Sequence, residues 1–125
     1  MKFLHTMIRV SDIEKSLKFY EGFLGLKLSR VLELDDCKLY FLKDAFSDVE
    51  IELTHNFETP EGGYEKGTQF GHFAFEVQSF DDVTQKLKEC GYEYLYEPFE
   101  LKPGLKIAFV KDPDGAEIEL IESMK

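Results

Sequence analysis

An internal repeat constrains the fold of this chain more than any other feature of its sequence. The 125 residues match themselves at an offset of 67 positions, which places His5 on His72. At the same offset the run Glu50-Ile51-Glu52-Leu53 falls on the identical run Glu117-Ile118-Glu119-Leu120. A pattern that recurs at a fixed separation indicates two copies of one supersecondary unit. We therefore expect two similar halves, each with one histidine and a central glutamate at matching positions.

Alternating apolar and polar residues predict a strand at the start of each half. Over Phe3 to Val10 the apolar side chains Leu4 and Ile8 share one face, and His5 lies on the other. The stretch Phe70 to Val77 turns its histidine away from its apolar face in the same way. A period of two residues is typical of a strand with one buried face. Both histidines are therefore predicted to lie on the face opposite the apolar residues.

Each first strand is followed by the start signal of a helix. Ser11-x-x-Glu14 and Ser79-x-x-Asp82 resemble capping boxes, in which a hydroxyl and a carboxylate satisfy the free amides of the first turn. Gly25 and Gly91 stand where the helices are predicted to end. The apolar positions at helical spacing are Ile13, Leu17, Tyr20 and Leu24 in the first half, and Phe80, Val83, Leu87 and Cys90 in the second. We expect these helices to cover the apolar faces of the strands.

Three more strands complete each half and define the fold class. They are predicted over Lys27 to Glu33, Lys38 to Lys43 and Val49 to Thr54, then over Tyr92 to Phe99, Lys106 to Lys111 and Ala116 to Ile121. Asp112-Pro113-Asp114-Gly115 predicts a turn before the last strand. The chain is predicted to be a single α+β domain of two β-α-β-β-β modules, residues 1–56 and 70–125, with residues 57–69 as a linker. This linker is long enough to fold one half onto the other or to pass the second half to a neighbouring chain.

Composition excludes several classes of partner. Fifteen Lys and Arg against 25 Asp and Glu give a net charge of −10, which repels phosphate backbones and anionic lipid. Cys37 and Cys90 form neither a Cys-x-x-Cys motif nor a dense disulfide framework, so we interpret them as incidental thiols. The start of the chain runs directly into a strand pattern without the apolar core of a signal peptide, and a cytoplasmic location is the expectation.

The repeated residues form a possible metal-ligand set. If the copies face each other, two imidazoles and two carboxylates come together, and this donor set suits Zn, Ni, Co, Fe and Mn. A lone histidine on a strand is more often a hydrogen-bonded structural residue, and glutamates near a sheet edge are often simply exposed to solvent. Because residues two apart share a strand face, parity does not separate Glu50 from Glu52, nor Glu117 from Glu119. His55 lies off the repeat and is interpreted as a surface or substrate-edge residue.

Several segments together resemble the glyoxalase I (lactoylglutathione lyase) family of the vicinal oxygen chelate superfamily. They are His5-Thr6-Met7-Ile8-Arg9-Val10, Ile51-Glu52-Leu53-Thr54-His55-Asn56, Gly71-His72, and Ala108-Phe109-Val110 through Asp112-Pro113-Asp114-Gly115 to Ile118-Glu119-Leu120. The resemblance spans nearly the whole chain. It implies paired β-α-β-β-β modules that form cupped mixed sheets with helices outside.

The resemblance also implies roles for individual residues. The metal ligands would be His5, Glu52, His72 and Glu119, with Arg9, Asn56 and also His72 as substrate-binding residues. The implied substrate is the hemithioacetal of methylglyoxal and glutathione, which is isomerised through an enediolate to S-D-lactoylglutathione in methylglyoxal detoxification. Glu119 is predicted as the principal base, with Glu52 as its symmetric partner. A metal acting as a Lewis acid would stabilise the charge that develops on the substrate oxygens.

Histidine at position 5 and the short chain resemble the bacterial class of this family, which implies Ni²⁺ or Co²⁺ as the favoured metal, with Zn²⁺ possible. The family also implies a homodimer in which His5 and Glu52 meet His72 and Glu119 of the neighbouring chain. Two rival functions stay open at this stage. One is another superfamily enzyme such as an acyl-CoA epimerase, and the other is a metal-free protein that sequesters an antibiotic.

Overall fold

The computed structural model describes residues 1–122 and divides into two compact units, Met1–Glu65 and a second unit that begins at Lys66. The first contains β1 (His5–Arg9), α1 (Ile13–Leu17), a π-helical turn (Lys18–Phe23), β2 (Lys27–Glu33), β3 (Cys37–Lys43) and β4 (Glu50–Asn56). The second contains β5 (His72–Val77), α2 (Phe80–Cys90), β6 (Tyr96–Lys102), β7 (Leu105–Lys111) and β8 (Glu117–Glu122). The predicted β-α-β-β-β order and the α+β class are confirmed.

Each unit is built on a four-stranded mixed sheet with the same topology. The strand order is β1-β4-β3-β2 in the first and β5-β8-β7-β6 in the second. In both sheets the first and last strands of the unit pair in parallel, and the other neighbours are antiparallel. A parallel pair needs a long crossover connection, which the helix and the two middle strands provide here. The strand that carries each histidine therefore lies directly beside the strand that carries the glutamates.

The faces opposite the histidines form the core of each unit. In the first unit Val10, Leu42 and Leu53 are fully buried, and in the second unit Ile118 and Ala108 are fully buried. Leu53 and Ile118 alternate along their strands with the central glutamates of the other face, as the period of two predicted. The second predicted module ends at residue 125, and the last three positions of that module lie outside the described residues. None of the helices in the described residues combines the length and the apolar content that a membrane span needs.

The first helix differs from the prediction at its start and in its geometry. Asp12, rather than Ser11, is the N-cap, and its side chain accepts a hydrogen bond from the Lys15 backbone amide. After Leu17 the backbone widens into a π-helical turn, in which the Leu24 amide donates to the Phe19 carbonyl five residues earlier. One extra residue per turn rotates the following side chains. The buried positions are consequently Phe19, Tyr20, Phe23 and Leu26 rather than a stripe at regular helical spacing.

The second helix agrees with its predicted ends, but the strand after it begins later than predicted. Ser79 accepts a hydrogen bond from the Asp81 amide, and Gly91 ends α2 in the left-handed conformation, with φ of 80°. The strand β6 begins at Tyr96 rather than at Tyr92. Tyr94 instead lies against the helix, where its hydroxyl is 2.8 Å from the Thr84 hydroxyl. Burial raises the pKa of Tyr94.

The turn before β8 confirms the prediction made from Asp112 to Gly115. The Asp112 carboxylate accepts hydrogen bonds from the amides of Asp114 and Ala116, at 2.9 and 2.8 Å. Gly115 adopts φ of 91°, which a residue with a side chain rarely adopts. This turn places the start of β8, and hence its glutamates, beside β7 and β5.

Candidate metal and substrate site

In the first unit the structure brings His5 and Glu52 together. His5 lies on β1 opposite Glu50, and Glu52 lies on β4 opposite Met7, so the two side chains are diagonal neighbours on one sheet face. His5 Nε2 is 3.1 Å from Glu52 Oε1. The histidine side chain is 35% exposed and the glutamate side chain 11%. The pair therefore combines a partly exposed imidazole with a largely buried carboxylate.

The second unit repeats this pair with His72 and Glu119. His72 Nε2 is also 3.1 Å from Glu119 Oε1, with side-chain exposures of 40% and 16%. The parallel register of β5 and β8 again sets the two residues diagonally, because Glu119 lies opposite Ala74. Two units with the same strand order and the same offset thus build the same imidazole–carboxylate pair twice.

The outer glutamates have different partners from the central glutamates. Glu50 accepts hydrogen bonds from the Ser29 hydroxyl and from the Arg30 guanidinium. The Ser29 hydrogen bond, and to a smaller degree Arg30, lowers the pKa of Glu50. Glu117 forms an ion pair with Lys66 at 3.1 Å. Both outer carboxylates are therefore engaged by their own donors, whereas the central glutamates of each run contact the histidines.

An aromatic ring supports each histidine, and sequence analysis missed both. Phe41 contacts His5 edge-on, with ring centroids 5.6 Å apart, and Phe109 contacts His72 in the same way at 5.4 Å. Each phenylalanine is the cross-strand partner of the central glutamate of its unit. The two rings are offset by 68 positions rather than 67, because the connection before β8 is one residue shorter than that before β4. A search at a single offset therefore aligns Phe41 with Ala108 and does not find the equivalence.

Arg9 and Asn56 lie on the same sheet face as His5 and Glu52. The Arg9 side chain is exposed and forms no hydrogen bond or ion pair within residues 1–122. Asn56 is half-buried, and its Nδ2 donates a hydrogen bond to the Tyr64 hydroxyl at 2.9 Å. Tyr64 belongs to the predicted linker, so the first part of that segment packs with the first unit. His55 pairs with Lys38 in the register of β3 and β4, and its position on the strand turns it to the opposite face.

The donor atoms of each pair fit a divalent metal ion. Two ligands on adjacent positions of a six-coordinate ion with bonds of about 2.1 Å stand about 3.0 Å apart. The observed separation between Nε2 and Oε1 is 3.1 Å in both units. Nitrogen and carboxylate donors are also the ligands that Zn, Ni and Co accept. Among residues 1–122, no group of three or more His, Cys, Asp or Glu side chains is placed to hold a metal ion.

Comparison with known proteins identifies the class. The model of the Glyoxalase/Bleomycin resistance protein/Dioxygenase superfamily matches residues 2–120, and the chain belongs to this family. Among its relatives, the lactoylglutathione lyase of Haemophilus influenzae is 41% identical over 98% of this chain and 93% of its own length. The probable lactoylglutathione lyase of Synechocystis is 42% identical over 98% of this chain and 96% of its own length.

Solved structures agree with this assignment. Glyoxalase I from Zea mays superposes with a TM-score of 0.86 and 32% identity, covering 99% of this chain and 45% of the maize chain. This chain therefore spans less than half of the maize protein. The trypanothione-dependent glyoxalase I of Leishmania major has a TM-score of 0.80 and 34% identity, covering 98% of this chain and 86% of its own. The resemblance predicted from the sequence, the fold and the enzyme class are thereby confirmed.

Proposed function

We propose that this chain is a lactoylglutathione lyase that isomerises the hemithioacetal of methylglyoxal and a thiol, with glutathione as the expected thiol. One observation carries this proposal: the same His–Glu pair, with the same 3.1 Å contact, occurs in both units of a chain about 40% identical to lactoylglutathione lyases. A cytoplasmic location and the role in methylglyoxal detoxification remain predictions from the sequence.

His5, Glu52, His72 and Glu119 would hold one divalent metal ion, with Ni²⁺ or Co²⁺ favoured and Zn²⁺ possible. When bound, such an ion supplies Lewis-acid stabilisation of negative charge on the substrate oxygens. The imidazole and carboxylate chemistry of the two pairs and their 3.1 Å donor separations support this assignment. The aromatic edges of Phe41 and Phe109 would keep each imidazole in its orientation.

Glu119 would act as the principal base, with Glu52 as its partner on the other side of the substrate. The carboxylate would remove the proton from the carbon that bears the sulfur, a proton would be returned to the neighbouring carbon, and the hydroxyl proton of the first carbon would pass to the oxygen of the second. The first carbon is thereby oxidised to the thioester and the second is reduced from ketone to alcohol. No external oxidant or reductant is required, because the two changes balance within the substrate.

Arg9 and Asn56 would hold the glutathionyl part of the substrate, and His72 would also bind the substrate. The guanidinium of Arg9 is exposed and forms no ion pair within the described residues, so it is available to an anionic group. A local cation is needed because the chain has a net charge of −10. Arginine suits carboxylate recognition because its planar donors form paired hydrogen bonds.

The decisive assay combines methylglyoxal and glutathione with the chain reconstituted with Ni²⁺ or Co²⁺. We expect the formation of a thioester that absorbs in the ultraviolet. The substitution Glu119→Gln is expected to lower the rate of thioester formation by about 10²- to 10⁴-fold. Full activity of Glu119→Gln would reject the base assignment. Absence of turnover with every metal and several thiols would reject the proposed function.

We further propose a homodimer in which the His5–Glu52 pair of one chain meets the His72–Glu119 pair of the other. Mixing two inactive variants, His5→Ala and His72→Ala, after unfolding and refolding them together tests this arrangement. Random pairing of shared sites would restore about a quarter of the wild-type activity, because half of the dimers would then contain one intact site. Sites confined to single chains would restore none. Refolded wild-type protein is the control for recovery.

A further inference from the structure

The two central glutamates of the repeat have different surroundings. In the first unit both oxygens of Glu52 are engaged, because Oε1 contacts His5 and Oε2 accepts a hydrogen bond from the Thr54 hydroxyl at 2.8 Å. Glu52 and Thr54 are both buried, with exposed fractions of 8% and 6%. A buried hydrogen bond to a charged group is among the stronger ones. Turning this carboxylate would break the bond and leave a buried hydroxyl without a partner.

In the second unit the repeat places Ile121 where the first has Thr54. Isoleucine has no hydrogen-bond donor in its side chain. Within residues 1–122, Oε2 of Glu119 accepts no hydrogen bond, and only its Oε1 is engaged, by His72. The Glu119 side chain is also more exposed, at 16% against 11% for Glu52. Glu119 is therefore held at one oxygen and Glu52 at two.

The backbone around Thr54 is itself firmly held. Thr54 lies in β4 with Leu39 of β3 on one side and Arg9 of β1 on the other. Its carbonyl accepts a hydrogen bond from the Val10 amide at 3.0 Å. A hydroxyl on such a backbone has little freedom to follow a moving carboxylate. Thr54 is thus suited to fixing a partner in place.

We propose that Thr54 is a positioning residue that keeps Glu52 a fixed metal ligand, and that Ile121 at the matching position leaves Glu119 free to turn and take the substrate proton. The inference rests on the proposed function, and it adds a physical reason for the unequal roles of the two glutamates. The Thr54 hydroxyl thus gives different roles to two glutamates that the repeat places at equivalent positions.

The first test measures Ni²⁺ affinity by isothermal titration calorimetry, with Ni²⁺ alone and without substrate. Thr54→Val keeps the shape of the side chain and removes the hydroxyl, and we expect Ni²⁺ affinity to fall by about 10- to 100-fold. Thr54→Ser restores the donor, and its affinity should return to within about three-fold of wild type. Thr6→Val on β1, whose side chain lies on the opposite sheet face, is the matched control and should bind Ni²⁺ as wild type does. Equal affinities for Thr54→Val and Thr54→Ser would overturn the proposal.

A rescue experiment at saturating Ni²⁺ gives the second test. Glu119→Gln removes the mobile carboxylate, and adding Thr54→Val should release Glu52 and raise turnover about 10-fold above that of Glu119→Gln alone. A purely structural role for Thr54 predicts a further loss instead, and that result would refute the inference. The two proposals fail separately: a wild-type chain without turnover rejects the enzyme assignment, whereas the Ni²⁺ titrations still decide the role of Thr54.

Discussion

Replacing Ser16 with alanine should stabilise this protein. Ser16 lies in α1 just before the π-helical turn and is fully buried. Its hydroxyl has no hydrogen-bond partner within the described part of the chain. A buried hydroxyl without a partner loses its bonds to water on folding and gains nothing in exchange. Alanine removes this polar group while keeping the backbone of the helix.

Three contributions set the size of the effect. Removing an unpaired buried hydroxyl contributes about 1 to 3 kcal/mol to the free energy of unfolding. The higher helix propensity of alanine contributes about 0.5 kcal/mol more. The small space left by one oxygen atom costs about 0.3 kcal/mol. The balance is a gain of about 1 to 3 kcal/mol, which corresponds to about 4 °C in Tm for each kcal/mol in a chain of this length.

Thermal and urea unfolding of Ser16→Ala and wild type, at one protein concentration and without added metal, measure this gain. Lys15→Ala changes an exposed neighbour on the same helix and serves as the control, with an expected change of less than about 0.5 kcal/mol. A Ser16→Ala protein that unfolds at or below the wild-type midpoint would show that the hydroxyl contributes to stability, and the reasoning would be wrong.

Three further predictions follow from the site and the thiols. Glu52→Gln should lower turnover by about 10²-fold or more, whereas Glu50→Gln, which removes the charge that Ser29 and Arg30 contact, should retain activity in the same assay. Burial, with a smaller contribution from the neighbouring Asp36, raises the pKa of Cys37, so alkylation followed by mass spectrometry should label the half-buried Cys90 before Cys37 near pH 8. Because the folded-state pKa of Cys37 is raised, the stability that its neutral thiol contributes is complete below the ordinary thiol pKa and is lost as pH rises through the raised value. Removing the metal with a chelator should abolish turnover, re-addition of Ni²⁺ should restore it, and turnover that survives complete removal would reject the metal-dependent mechanism.

The sequence by itself determined the repeat, the order of elements and the faces of the histidines. Alternation with a period of two is a local property, and one apolar face per strand is sufficient to place His5 and His72 opposite the core. The family resemblance selected Glu52 and Glu119, and the structure supports this choice by placing both beside the histidines. The ends of α2 were also predictable, because caps depend on residues adjacent in the chain.

Only the tertiary structure decided the contacts that depend on neighbouring strands. Glu50 and Glu52 share a strand face, so parity does not distinguish them; Ser29 of β2 contacts the first and His5 of β1 contacts the second. The equivalence of Phe41 and Phe109 depends on strand register, which places each ring opposite the central glutamate of its unit, whereas a connection one residue shorter before β8 changes their offset in the sequence. The π-helical turn after Leu17, in which Phe19, Tyr20 and Phe23 are buried, was also not visible in the spacing of the apolar residues. Local patterns report which way a side chain faces, whereas its partners are set by the register between segments far apart in the chain.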